Sequence, residues 1–160
     1  METDFELIEE TPYKYANEDL FCSIYYEYVD GVKRAIKDGA DVNYRYNNIF
    51  FSEYYFAFEF ERVKWKDNYT PLMIAIEKKN IAIIKLLLEN GAKPYGWNSL
   101  GHTPLVVTIR DSSDSDILKL LLEYGADPNE NCMYGITLRF AESNYPKAYN
   151  IMSSYVKSKK

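Results

Sequence analysis

The sequence predicts an all-α solenoid, about four helix–turn–helix units laid side by side. Three observations predict it. Thr-Pro-Leu stands at 70–72 and returns 33 residues later at 103–105. Leu-Leu-Leu-Glu-x-Gly-Ala stands at 86–92 and returns 34 residues later at 120–126. Between these markers, apolar residues recur at helical spacing. Self-similarity at this period marks stacked helical hairpins, each burying its apolar face only against its neighbours.

Taken in order, residues 1–16 carry no clear repeat. Phe5 to Ile8 suit a short apolar lid, Pro12 breaks any helix there, and a capping role for the array follows. A degenerate first copy covers 17–45. Aligning Gly39 with Gly91, an offset of 52, places Leu20 on Leu72, Val32 on Ile84 and Ile36 on Leu88. Glu18-Asp19 stand where Thr-Pro opens the later copies, and an acidic start suits the positive end of a helix.

About 19 extra residues separate copies one and two, at 46–64, and eight of these are Tyr or Phe. Phe56, Phe58 and Phe60 alternate with Ala57, Glu59 and Glu61, which predicts an extended aromatic β-hairpin. A short helix from Ser52, or aromatics that simply cover the side of the stack, remain alternatives.

The second copy, 65–97, has Thr70 to cap the helix that Pro71 starts. Asn68 precedes it where later copies have Gly101 and Gly135, a position for a left-handed turn. Leu72, Ile74 and Ala75 face inward, and Ile83, Ile84, Leu86, Leu87 and Leu88 line the second helix's apolar side. The third copy, 98–131, is one residue longer, within Asp111–Asp116. The fourth, 132–156, keeps Gly135-Ile136-Thr137 and then decays, with Phe140, Ala141, Tyr149, Ile151, Met152 and Tyr155 forming a wetter C-terminal cap. One domain, 1–160, is the expectation.

A chain of 160 residues, 47% hydrophobic and 27% charged, can bury a sizeable core. Its net charge of −5 argues against nucleic acid as a partner. Cys22 and Cys132 lie far apart with no metal-ligand spacing around them, which suits a reducing compartment. No apolar run approaches a membrane span of roughly 18 residues, and the acidic start lacks the pattern of a signal peptide. A cytoplasmic protein without membrane contact is expected.

Chemistry finds little support. His102, the one histidine, has no recognisable nucleophile or orienting partner. Cys22 sits among apolar residues as a small hydrophobe. Asp111, Asp114 and Asp116 lack the Gly and the terminal Glu of a calcium loop, so a widened turn capped by Asp114 or Ser115 explains them better. Neither an enzyme nor a cofactor nor a bound metal is expected.

At Thr70-Pro71-Leu72, Leu86–Gly91 and Gly125-Ala126-Asp127-Pro128-Asn129, the chain resembles the ankyrin-repeat family, over about 17–155. Met73 and Val106 depart from the family's usual His, and the aromatic insertion has no counterpart in it. The resemblance implies an L-shaped stack with projecting β-hairpin fingers. It also implies protein binding through the finger tips and the concave face of the first helices. Carried over by position, the contact residues are Lys66, Asp67, Tyr69, Glu77, Lys78 and Trp97 in copy two. Copy three offers Ser99, Leu100, His102, Arg110, Asp111 and Asn131, copy four Met133, Tyr134 and Ile136, and copy one Tyr25, Tyr26 and Arg45.

The function expected is a non-enzymatic module that binds a partner protein and blocks or sequesters it, as a monomer when unbound. The whole-chain charge of −5 would suit a partner with a basic surface. Alternatives are an immunity or inhibitor protein neutralising a specific toxin or enzyme, and a structural adaptor self-associating through the aromatic insertion.

Overall fold

The computed structural model describes residues 13–46, 68–111 and 115–159. Within them eight helices form four antiparallel pairs: α1 Tyr13–Tyr25 with α2 Val29–Lys37, α3 Pro71–Glu77 with α4 Ile81–Glu89, α5 Pro104–Asp111 with α6 Ser115–Glu123, and α7 Thr137–Asn144 with α8 Pro146–Ser158. First helices pack on first helices in the order α1, α3, α5, α7; second helices follow as α2, α4, α6, α8. The result is a two-layer helical solenoid, with an inner layer of first helices and an outer layer of second helices.

The repeated residues build the repeated joints. Thr70 Oγ1 accepts a hydrogen bond from Met73 N at 3.3 Å, and Pro71 takes the first helical position. Thr103 Oγ1 does the same for Val106 N at 3.2 Å. Each cap answers one of the N–H groups that a helix start leaves orphaned. Asn80 caps α4 through Ile83 N at 3.1 Å. The outer helices α2, α4 and α6 then close alike. Gly39, Gly91 and Gly125 have φ of +95°, +88° and +96°, and the following Ala40, Ala92 and Ala126 amides bond back to Ala35, Leu87 and Leu121. This left-handed closure is one that only glycine enters without steric cost.

In the first copy the structure corrects the expected helix start. Without Thr-Pro to stop it, α1 continues back through Glu18-Asp19 to Tyr13, directly after Pro12. Asn17 instead ties the copy together: its Oδ1 accepts from Asp41 N at 2.7 Å, and its carbonyl accepts from the Tyr46 hydroxyl at 2.7 Å. Phe5 to Ile8, the 46–64 insertion beyond Tyr46, and Asp114 lie outside the described residues.

The core is one cluster running the length of the stack. α3 is buried at every position from Pro71 to Ile76, more than a single inward face, because α1, α5 and α4 enclose it. On α4 and α6, Leu87 and Leu121 are fully buried, whereas Leu86 and Leu120 are half-buried at the layer's edge. The fourth pair lacks side-chain caps. Its Ala141, Ala148 and Met152 are buried, with Phe140, Tyr149, Ile151 and Tyr155 packed at the margin.

Between pairs the chain projects short fingers. Tyr46 and Tyr69 form an antiparallel bridge, with Asn68 at φ +68°. The next finger, 98–102, is folded around Asn98, whose Oδ1 accepts from Leu100 N and His102 N, each at 3.0 Å. The last is a two-stranded hairpin, β1 Asn131–Cys132 with β2 Gly135–Ile136.

Candidate protein-binding surface

Adjacent fingers are pinned to one another by a repeated contact. Arg45 Nη1 donates to the Trp97 carbonyl at 2.7 Å, and Trp97 Nε1 donates to the Asn131 carbonyl at 2.8 Å. These residues hold the same place in successive copies, so each side chain reaches the backbone of the next. Met133 N donates to Gly101 O at 2.9 Å, bringing the last two fingers side by side. Trp97 at 55%, Leu100 at 39%, Met133 at 58% and Tyr134 at 43% are exposed along this joined edge. A rigid backbone thus presents apolar and aromatic side chains to solvent.

A second row comes from the ends of the inner helices. Tyr25, Glu77 and Arg110 occupy equivalent places, as do Tyr26, Lys78 and Asp111. Lys78 Nζ sits 3.7 Å above the Tyr25 ring, and the Tyr25 and Tyr26 rings meet edge to face at 5.2 Å. Arg110 Nη1 lies 3.0 Å from His102 Nε2. His102 stacks on Tyr134, which stacks on Phe140, with ring centroids 5.7 and 4.3 Å apart.

Two sequence-predicted contact residues are interior, and the expectation for them is corrected. Tyr69 is 1% and His102 3% exposed. Both immediately precede the capping threonine, where the chain bends from finger into helix and the side chain turns under the inner layer. Their polar tips find partners eight residues on: the Tyr69 hydroxyl donates to Glu77 Oε1 at 2.6 Å, and His102 meets Arg110. They are struts beneath the surface, not contacts on it. Tyr25, Glu77 and Lys78 are half-buried, and Tyr26, Arg45 and Arg110 exposed. Lys66 and Asp67 lie outside the described residues, as does the Asp111 side chain.

Sequence reasoning missed Asn98 and Glu130. Asn98, 4% exposed, organises its finger; an Asn that opens a turn is the signal that was available. Glu130 Oε1 accepts from Gly96 N at 2.9 Å, tying one finger to the next. Burial pushes its carboxyl above the ordinary value, with Asp127 adding to the rise and the Gly96 bond opposing it. A raised folded value means that the folded chain holds this proton more tightly than the unfolded chain. Its ionisation therefore costs stability at neutral pH, and the cost disappears as pH falls through the folded value. Glu130→Gln keeps an acceptor for Gly96 and cannot ionise. Urea unfolding across a pH series should show wild type gaining on this variant as pH drops from neutral towards the carboxylate range. A gap that does not change with pH would refute the assignment.

Cys22 has its thiol pushed up by burial first, then by Asp19 and Glu18, which disfavours the reactive thiolate. Among the described residues no group of His, Cys, Asp and Glu is arranged to hold a metal ion. No described helix is long and apolar enough to cross a membrane.

A family model of ankyrin repeats, in three copies, matches residues 20–132. The chain belongs to the ankyrin-repeat family. The match runs from within α1 through the third helix pair to the first strand of the last finger, where the repeated caps and closures lie. Among individual relatives, a Rickettsia bellii protein named for its ankyrin repeats is 46% identical over 56 residues, covering 35% of this chain and 23% of that protein. Two fowlpox virus proteins named likewise are 42% and 45% identical, each over 38% of this chain, and over 10% and 13% of their own lengths. This ankyrin-repeat chain therefore matches only a small share of those longer proteins. Ankyrin repeats are in general protein–protein interaction modules.

Proposed function

We propose that this ankyrin-repeat chain is a non-enzymatic binding module. It docks one partner protein on its finger edge and inner-helix ends, and acts by occupying that partner's surface. One observation carries this reading: Trp97, Leu100, Met133 and Tyr134 are exposed on fingers that Trp97 Nε1 and Met133 N lock together. Large apolar side chains held in register by a rigid frame bind without a large ordering cost. Trp and Tyr are the types that dominate binding hot spots. Cytoplasmic placement and a monomeric unbound state belong to the same reading, as does action by blocking a toxin or an enzyme.

The test is affinity capture with the intact chain from lysate of its native cell, wild type against the triple variant Trp97→Ala, Leu100→Ala, Met133→Ala. Tyr124→Ala, on an exposed tyrosine beyond the end of α6, is the control. Loss of one hot spot costs about 2 kcal/mol, about thirtyfold in affinity, so the triple variant should lose the retained protein while the control keeps it. Circular dichroism melting checks that the variant is folded. A partner retained equally by all three proteins would refute the surface. Capture of nothing but the chain itself would favour self-association instead.

A further inference from the structure

The whole chain carries a net charge of −5, a sum that Glu2, Asp4, Glu6, Glu9 and Glu10 alone account for, since cations and carboxylates are equal in number over the rest of the sequence. On the outer helices, lysines sit beside carboxylates one turn away. Lys33 pairs with Asp30 at 3.1 Å, Lys85 with Glu89 at 3.8 Å and Lys119 with Asp116 at 3.9 Å. On the finger edge and inner-helix ends, the cations are held by neutral groups instead. Arg45 is held by the Trp97 carbonyl, Lys78 by the Tyr25 ring and Arg110 by the His102 ring. Such anchors fix where a cation stands and leave its charge uncompensated. Among the described residues each guanidinium commits Nη1 to its anchor, leaving donors for the paired oxygens of a carboxylate. The described carboxylates in and beside these rows are each bonded within the chain: Glu77 Oε1 accepts from Tyr69 at 2.6 Å, Glu27 Oε2 from Asn80 at 3.2 Å and Glu130 Oε1 from Gly96 at 2.9 Å.

We propose that the partner presents an acidic segment to this surface. Its Asp or Glu side chains would meet Arg45, Lys78 and Arg110, and its aromatic or branched aliphatic side chains would pack on Trp97, Leu100, Met133 and Tyr134. This rests on the binding surface proposed above and fixes the sign of its partner, opposite to the sign that the whole-chain charge suggests. Charges distant from a docking face are screened within roughly 8 Å at physiological salt. The local cations therefore govern the encounter.

The probe is a short-peptide display library selected against the intact chain. The best fluorescein-labelled binder is then titrated into the wild type, into Lys78→Gln/Arg110→Gln and into Arg110→Lys. Enriched peptides should carry Asp or Glu beside aromatic or aliphatic residues. The double neutralisation should weaken binding about tenfold, Arg110→Lys should retain most of it, and salt near 0.5 M should shrink the difference. Circular dichroism melting of each variant separates lost charge from lost fold. Enrichment of basic peptides would overturn the inference, as would no enrichment at all, or affinity unchanged by neutralisation. Displacement of the peptide by a DNA oligonucleotide or a phosphatidylserine vesicle as readily as by unlabelled peptide would also overturn it, marking a general anion surface. Basic peptides that are lost on Trp97→Ala would sink the sign while leaving the binding surface intact. Peptides insensitive to every finger variant would sink the surface itself.

Discussion

Leu87→Ala is expected to destabilise the fold by about 2–5 kcal/mol, whereas Leu86→Ala, one residue earlier, should cost well under half of that. Leu87 is fully buried on α4, between the α3 and outer-layer contacts of the second pair, and Leu86 is half-buried at the edge. Removing the larger side chain leaves a cavity that the two layers close only in part, so the cost is the lost transfer energy plus the void. Alanine is the best helix former, so the contrast owes nothing to propensity. A domain of this size has about 5–15 kcal/mol of net stability, and a defect in a central repeat weakens its coupling to both neighbours. Urea unfolding followed by far-ultraviolet circular dichroism measures the pair, and Leu121→Ala against Leu120→Ala should repeat the pattern one copy on. Equal losses for Leu86 and Leu87 would contradict the arrangement of the outer layer.

The triple leucine shows what the sequence could and could not reveal. Its recurrence after 34 residues located the outer helices, because a local cap and a local glycine closure bracket each copy. Thr70 and Gly91 act through bonds to residues within a few positions, and Pro71 and Asn68 through their own backbone angles, so residue type alone announces them. Which of three adjacent leucines lies deepest depends on the angle at which one layer rests on the other, and no local residue encodes that angle. The same division explains α1. Its start was misplaced because the stop signal present in later copies is missing there, and the described helix reaches back to Tyr13, the residue after the Pro12 that the sequence marks as a break.

The site divides in the same way. The finger residues Trp97, Leu100, Met133 and Tyr134 are exposed, as turn positions between helices usually are. The residue before each capping threonine looked equally exposed, and it is not. One clue was present: the position reads Tyr69, His102 and Ile136 in successive copies, and an isoleucine at a supposed contact position signals an inward face. What stayed invisible was the partner that makes a buried hydroxyl or imidazole tolerable. Glu77 and Arg110 lie a helix length away, and only the folded geometry brings them under the polar tips.

Tyr69→Ala accordingly becomes a core mutation, expected to cost about 3–5 kcal/mol as other buried aromatic truncations do. The ring belongs to the continuous core cluster and its backbone bridges to Tyr46, which itself packs on Phe21 with centroids 4.8 Å apart. Tyr69→Phe keeps that ring and gives up only the bond to Glu77. Its cost should be about 1 kcal/mol, since Glu77 is half-buried and water can replace the hydroxyl. A tyrosine on an open binding face would behave otherwise: truncation would move stability by no more than about 0.5 kcal/mol and would be felt only in partner affinity. Chemical denaturation of the two variants separates these cases without knowledge of the partner. A Tyr69→Ala protein as stable as wild type would place Tyr69 back on the surface and dismantle the strut that holds Glu77 beside Lys78.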